Sequence, residues 1–335
     1  MKSLRKNKIG YIYGIAILLL LLASVLGVLL GASEVRLSDM LSSLFKGDME
    51  SPEARILLYV RLPRVFGALV CGSALAVSGA VIQGVLANRL ASPSIIGVNA
   101  GAGLAVTLCS AFGIIGGGKV SLFAFFGAFL AVMLVSLGAR KWGASRGTVI
   151  LMGVALNALL GAISDTVTTF MPEIGMQSLD FKIGDFSSVT YAKLIPAAIT
   201  VLVSVLILLT LSNELDVLTL GDESAKGLGM NTNVMRVIFL LLSALLAGAA
   251  VSVCGLLSFV GLLVPHAVRR IATSESKHLL PLCTLLGAGF VSLCDTLARV
   301  VFAPYELPVG IIMAFLGAPF FIFILIKGKG GHSRA

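Results

Sequence analysis

The amino-acid sequence predicts an all-α polytopic membrane protein, and three observations carry that prediction. The 335 residues are 58% hydrophobic and only 12% charged, where soluble domains carry roughly 25% charged residues. A soluble chain this apolar could not cover its own surface. The apolar residues are gathered into runs long enough to cross a hydrocarbon core of about 30 Å, which takes about 20 helical residues. Lipid offers the backbone no hydrogen-bonding partner, so an unclosed chain must satisfy its N–H and C=O groups inside helices.

Taken in order, the start "MKSLRKNKIG" resembles the basic region of a signal peptide. The apolar run from Ile9 to Ala32 is far longer than the ~7–15 residues of a signal h-region, so a retained first span is expected near 10–31. Further runs fall near 63–87, 94–115, 120–138, 148–170, 191–211, 234–252, 279–302 and 308–327. One more, 255–268, is short and follows its neighbour almost without a break, which gives about ten transmembrane helices. An even count puts both termini on one side. If that side is the cytoplasm, 16 of the 25 Lys and Arg lie inside and 11 of the 16 acids outside, as the positive-inside rule requires of the basic residues.

Two connections are long enough to carry structure: 32–62 outside, with leucines and Phe45 spaced as in a surface helix, and 212–233 inside. A faint echo links "GSALAVSG" (72–79) with "GAAVSVCG" (248–255), five spans apart and therefore antiparallel, as an inverted repeat requires. Among 37 glycines, chance explains such a match equally well.

The chemistry-bearing candidates are few. Cys71, Cys109, Cys254, Cys283 and Cys294 lie inside apolar runs with no CxxC spacing, which suits small buried hydrophobes rather than a metal or disulfide site. The net charge of +9 sits in short clusters between spans, so it orients the chain in the lipid bilayer, and no nucleic acid is expected. "GIIGGGKV" (113–120) has the glycines and lysine of a phosphate loop but Val120 where a Mg²⁺-ligating hydroxyl belongs. With no HExxH, GxSxG or His/Cys cluster, no catalytic or metal-ligating residue is assigned.

Four stretches remain. In "RLPR", Arg61 and Arg64 straddle Pro63, which suits the first turn of a helix. Two outer arginines run against the charge trend, so an acidic partner deserves weight. In "CDTLAR", Asp295 and Arg299 share a helix face and are expected to pair. Asp165 has no such neighbour; Asp165 or Asp295 could serve as the proton site of an ion-coupled secondary transporter, the competing class. "FVGLLVPHAVRR" ends an apolar run with Pro265, His266, Arg269 and Arg270, as expected at a cytoplasmic boundary. In "LGDESAKGLGMN" (220–231) a short helix can start at Asp222 and stop at Gly227 or Gly229. From the residues alone it is either a docking helix or an ordinary polar loop.

"RLPRVFGALVCGSALAVSGAVIQGVLANRLASPSIIGVNAGAG", "GDESAKGLG", "GLLSFVGLLVPHAVRR", "LGAGFVSLCDTLAR" and "ELPVGIIMAFLGAPFFIFIL" resemble the signature blocks of FecCD-type permeases. These are the membrane subunits of ATP-binding-cassette (ABC) importers for iron-siderophores, haem and cobalamin. The first span and 104–212 are generic, and Asn88-Arg89-Leu90 departs from the family's Asn-Pro-Leu, with Pro93 kept.

The resemblance implies one transmembrane permease domain over 1–335, in the cytoplasmic membrane of a prokaryote with both termini cytoplasmic. It implies a second permease subunit, most simply in a homodimer, two ATP-binding subunits that hold ATP and Mg, and an extracytoplasmic substrate-binding protein. The chain itself would bind no cofactor and hydrolyse nothing. By likeness of position, Gly221, Glu223, Ala225 and Gly229 in 212–233 would couple to the ATPases. Arg61, Arg64 and Arg299 would dock the binding protein. Pro265, His266, Arg269 and Arg270 would lie at the inner end of span eight, a gate region beside the coupling segment. Ferric siderophore is the expected cargo.

Overall fold

The structure, a computed structural model, describes residues 2–31, 42–43, 50–114, 116–141 and 146–329. Of the segment 32–62 in which a surface helix is expected, residues 32–41 and 44–49 lie outside them, as does Arg334, while Pro52–Arg61 is described and helical. The first half of the chain forms α1 (Lys2–Leu29), α2 (Pro52–Ile56), α3 (Leu62–Val85), α4 (Val98–Ala111), α5 (Gly117–Lys141), α6 (Arg146–Phe170), α7 (Pro172–Gln177) and α8 (Leu179–Ile183). The second half forms α9 (Tyr191–Thr210), α10 (Ser212–Thr219), α11 (Asp222–Gly227), α12 (Thr232–Cys254), α13 (Val260–Ile271), α14 (Ser276–Val300) and α15 (Val309–Lys329).

Seven of these are long and apolar enough to cross a membrane: α1, the continuous helix Pro52–Val85, α5, α6, α9, α12 and α14. Two shorter apolar helices, Val98–Ala111 and Val309–Ile322, accompany them. At 1.5 Å per residue, the 14-residue α4 and the 12-residue α13 reach only about 21 and 18 Å. Irregular segments make up the difference, and backbone outside a helix is tolerated at membrane depth only where protein satisfies it. Before α4, the Asn157 amide of α6 donates to the carbonyls of Ser94 (2.9 Å) and Ile95 (3.1 Å). Before α13, the Leu256 N–H bonds the Phe181 carbonyl at 2.8 Å and the Asp185 N–H bonds that of Cys254 at 2.9 Å.

The centre is α3, buried on nearly every face. It packs most extensively against α14 and α12, and α12 packs in turn against α5. The contact of α3 with α14 is thus mirrored by that of α12 with α5, which agrees with the echo between "GSALAVSG" and "GAAVSVCG". Glycine makes the tightest crossings: a Cβ on Gly72 would overlap the Gly287 carbonyl of α14, and one on Gly79 would overlap the Gly261 backbone of α13. Small residues let helices approach closely where lipid supplies no hydrophobic drive to associate. The outer faces of α1, α6 and α9 expose Leu, Ile and Val, as lipid-facing or partner-facing surfaces do.

One expectation is extended. Pro63 stands in the first turn of α3, as its spacing implied, but α3 continues an earlier helical stretch. The chain enters at Pro52, where the Ser51 hydroxyl caps the Ala54 N–H, and runs through a π-helical turn, Leu57–Arg61, into α3. In that turn the Leu62 N–H reaches back five residues to the Leu57 carbonyl. The same register would pair the Leu58 carbonyl with residue 63, and proline has no N–H to give. The Tyr191 hydroxyl of α9 donates to that carbonyl instead, at 2.9 Å.

Candidate functional site

The residues singled out from the sequence fall mainly in three places: where the start of α3 meets the end of α14 (the expected outer end), the C-terminal part of α13 (the expected inner end), and residues 212–233. At the expected outer end, Arg64 and Arg299 close on Asp295 and Arg61 joins them in lining one cavity, all four at most 4% exposed. The Arg64 Nε donates to both Asp295 oxygens (3.0 and 3.2 Å), and its Nη1 donates to the Glu306 Oε2 at 2.6 Å. Its Nη2 lies 3.9 Å from the Asp185 carboxylate, beyond hydrogen-bond reach. Arg299 reaches the other side of Asp295 at 3.2 Å and donates to the carbonyls of Gly27 and Leu30, each at 3.1 Å. Arg61 donates to the carbonyls of Val28 (2.8 Å) and Leu29 (2.9 Å).

The expected pair Asp295–Arg299 is therefore present, inside a larger network that sequence spacing could not show. The three arginines and Glu306 line a cavity of about 360 Å³. They are engaged from behind, with Asp295 and Glu306 offsetting two of the three positive charges, so the arginines line a recess rather than standing free on the surface. Asp165, by contrast, is exposed on α6 and makes no ion pair among the described residues.

At the inner end, Pro265 lies inside α13 and cannot supply the N–H that would pair with the Gly261 carbonyl four residues back. The Gln83 side-chain amide of α3 donates to that carbonyl at 3.0 Å. Arg269 donates in turn to the Gln83 amide oxygen, and approaches the Ala80 carbonyl at 3.4 Å. The run "VPHAVRR" is thus a helix whose proline and first arginine are both answered by one glutamine. His266 is half-buried, and Arg270 points to the exterior.

The segment 212–233 opens with two short helices, α10 and α11. Gly221 (φ 108°) and Gly229 (φ 82°) flank α11 in the left-handed region, where a side chain would be strained. Both are residues singled out from the sequence. Ala225 is fully buried beneath α11, and its carbonyl accepts from the Met230 N–H at 3.1 Å. Glu223, Lys226, Leu228 and Gly229 face outward.

Sequence reasoning missed the anchors. The Asp222 carboxylate accepts from the Arg146 Nη2 of α6 at 3.0 Å and from the Arg236 Nη2 of α12 at 2.7 Å. Arg146 donates also to the Leu218 carbonyl at 2.7 Å. Burial pushes the Asp222 carboxyl up, but the hydrogen bonds and charges of Arg236 and Arg146 outweigh it and hold the group below the usual carboxylate range. Asp216 of α10 caps α14, accepting from the Ser276 N–H at 3.0 Å and from its hydroxyl at 2.6 Å. The only hint in the sequence was that basic residues head both α6 and α12.

Comparison with known proteins gives this geometry a context. The FecCD transport family matches residues 18–327. The chain is 36% identical over 317 residues, 94% of each protein, to the Fe(3+)-citrate import system permease protein YfmD of Bacillus subtilis (strain 168). It is 36% identical over 284 residues, 83% of this chain and 85% of the relative, to the hemin transport system permease protein HmuU of Yersinia pestis. A solved inward-facing conformation of a metal-chelate type ABC transporter superimposes with a TM-score of 0.82 at 30% identity, over 95% of this chain and 99% of that one. A buried helical core of this fold, a braced cytoplasmic segment and these relatives lead to one conclusion: the chain belongs to the FecCD transport family, as a membrane-spanning permease subunit of an ABC importer.

Proposed function

We propose that the cargo is a ferric siderophore and that two copies of this chain form the conduit. It does no covalent chemistry. Two separate subunits hold ATP and Mg, grip residues 212–233 of each copy and drive the conduit between outward and inward access, with both termini cytoplasmic. The observation that carries this reading is the build of α11: its underside is pinned by Ala225 and Asp222, while Glu223, Lys226, Leu228 and Gly229 are presented outward. A rigid platform with small and charged residues on its free face suits docking into a cleft; a solvated loop would need no such bracing. Glu223→Lys combined with Gly229→Trp should abolish chelate uptake while membrane insertion stays normal, and normal uptake would contradict the coupling role.

At the outer end, the recess of Arg61, Arg64 and Arg299 supports docking of an acidic surface of a binding protein. Charge there steers association and fixes register more than it adds affinity. Pro265, His266, Arg269 and Arg270 mark the inner mouth of the conduit, where α13 is tied to α3. Haem is the second reading, because the hemin permease is as similar as the iron-citrate one, at 36% identity each. Cobalamin belongs to the same class. The ligand that co-purifies with the cognate binding protein decides among them: a ferric siderophore supports the first reading, haem or cobalamin replaces it.

A further inference from the structure

We propose that Asp222 is the residue through which the cytoplasmic segment moves the fifth span. The inference rests on the reading that 212–233 receives the ATPases, and it adds the route by which force leaves that segment. Covalent continuity alone transmits a push on α11 poorly, because the helix hangs between Gly221 and Gly229, both at positive φ with nothing packed over them. Along the chain it also leads only to α9 and α12. It does not lead to α6, which begins 76 residues before Asp222.

The link to α6 is made by side chains. One Asp222 oxygen holds Arg146, the first residue of α6, and the other holds Arg236 in the second turn of α12. Arg146 adds a second bond, to the Leu218 carbonyl of α10. A carboxylate shared by two guanidiniums is a directional joint of charge-assisted bonds, shorter and stronger than neutral ones.

The element so gripped is built to move. Only Val149, Gly153 and Ser164 of α6 are buried, whereas Leu151, Val154 and Leu159 are 53–69% exposed. The partner on the other side is built to stay: α12 is buried along most of its length and packs on α3 and α5. Asp222 therefore ties the docking helix to one fixed and one loosely packed span. Displacement of α11 pivots on Arg236 and is delivered at Arg146, to the inner end of α6. Asp222 and Arg146 are positioning residues and touch no cargo.

The test uses the complete importer in proteoliposomes, with ⁵⁵Fe chelate delivered by its cognate binding protein. The variants are Arg146→Gln, which cuts only the α6 side, Asp222→Asn, and Asp222→Glu as the conservative control. ATPase subunits should stay bound and basal hydrolysis should stay near wild type in Arg146→Gln, which leaves the Asp222–Arg236 bond that pins α11 in place. Chelate transported per ATP should fall about tenfold, within the range of typical coupling energies, and Asp222→Glu should recover part of it. Unchanged transport per ATP in Arg146→Gln would overturn the inference. So would loss of the ATPase subunits from Arg146→Gln, which would make Arg146 part of the docking platform rather than of the link to α6. If Glu223→Lys with Gly229→Trp kept its ATPases, the docking reading would fall and this inference with it.

A second measurement needs no disruptive variant. The five native cysteines are buried, so spin labels at Leu151→Cys and Leu220→Cys report selectively. Their separation should hold constant through the ATP cycle, because α6 travels with the segment. A separation that changes with nucleotide would overturn the inference.

Discussion

Asp295 lies between two guanidiniums where water cannot reach, and each of the three groups depends on the others. Removing one partner of a buried ion pair leaves an uncompensated charge and costs about 3–5 kcal/mol. Asp295→Ala, which strands both Arg64 and Arg299, should lower the thermal midpoint of the purified chain accordingly. The double variant Arg64→Ala/Asp295→Ala should lose less than the sum of the singles, since residues in one network do not add. Asp222 gives a pH prediction. Its pKa is depressed in the folded state, so its stabilisation is fully present above the ordinary carboxylate value of about 3.9. It is lost as the pH falls through the lower folded value. The stability difference between wild type and Asp222→Asn should therefore be flat from neutral down to about pH 4 and vanish in stronger acid; a loss already at pH 5 to 6 would contradict the arginine clamp. At this scale the sequence could be read only locally. Asp295 and Arg299 are one turn apart, so their pairing was legible. Arg64 meets Asp295 and Glu306 across 231 and 242 residues, and Asp222 meets Arg146 across 76; no spacing rule reaches that far.

At Pro63 and Pro265, the carbonyl left without its helical N–H is answered by a side chain of another element. Tyr191 serves the carbonyl freed by Pro63, and Gln83 serves the one freed by Pro265. Gln83→Leu should leave the Gly261 carbonyl unpaired and Arg269 without its acceptor, costing about 1–3 kcal/mol. Thermal unfolding checks this, and a loss under a few tenths of a kcal/mol would show that the bridge is idle. Hydropathy located the long spans within a few residues, and glycine chemistry located α11 between Gly221 and Gly229. What pattern could not locate was the continuous entry from Pro52 into α3 or the separate helix α10. The first depends on a π turn completed by a distant tyrosine. The second depends on Asp216 capping α14, a contact that exists only after folding.

For the whole molecule, the account divides labour. A tightly packed centre of α3, α12 and α14 is proposed to hold shape while spans less buried within the chain, such as α6, move on energy supplied from outside it. The fold class was legible because lipid imposes helices on any chain so poor in charge. The energy source was not legible from physics alone: a docking helix and a polar loop share the same letters, and the braced underside of α11 supports the proposed docking. The most direct measurement is chelate uptake by purified chain in proteoliposomes, with binding protein present, with and without the ATPase subunits. The account predicts ATP-dependent accumulation only when the ATPases are bound, insensitive to a proton or sodium gradient. Accumulation driven by an ion gradient with no ATPase present would contradict it.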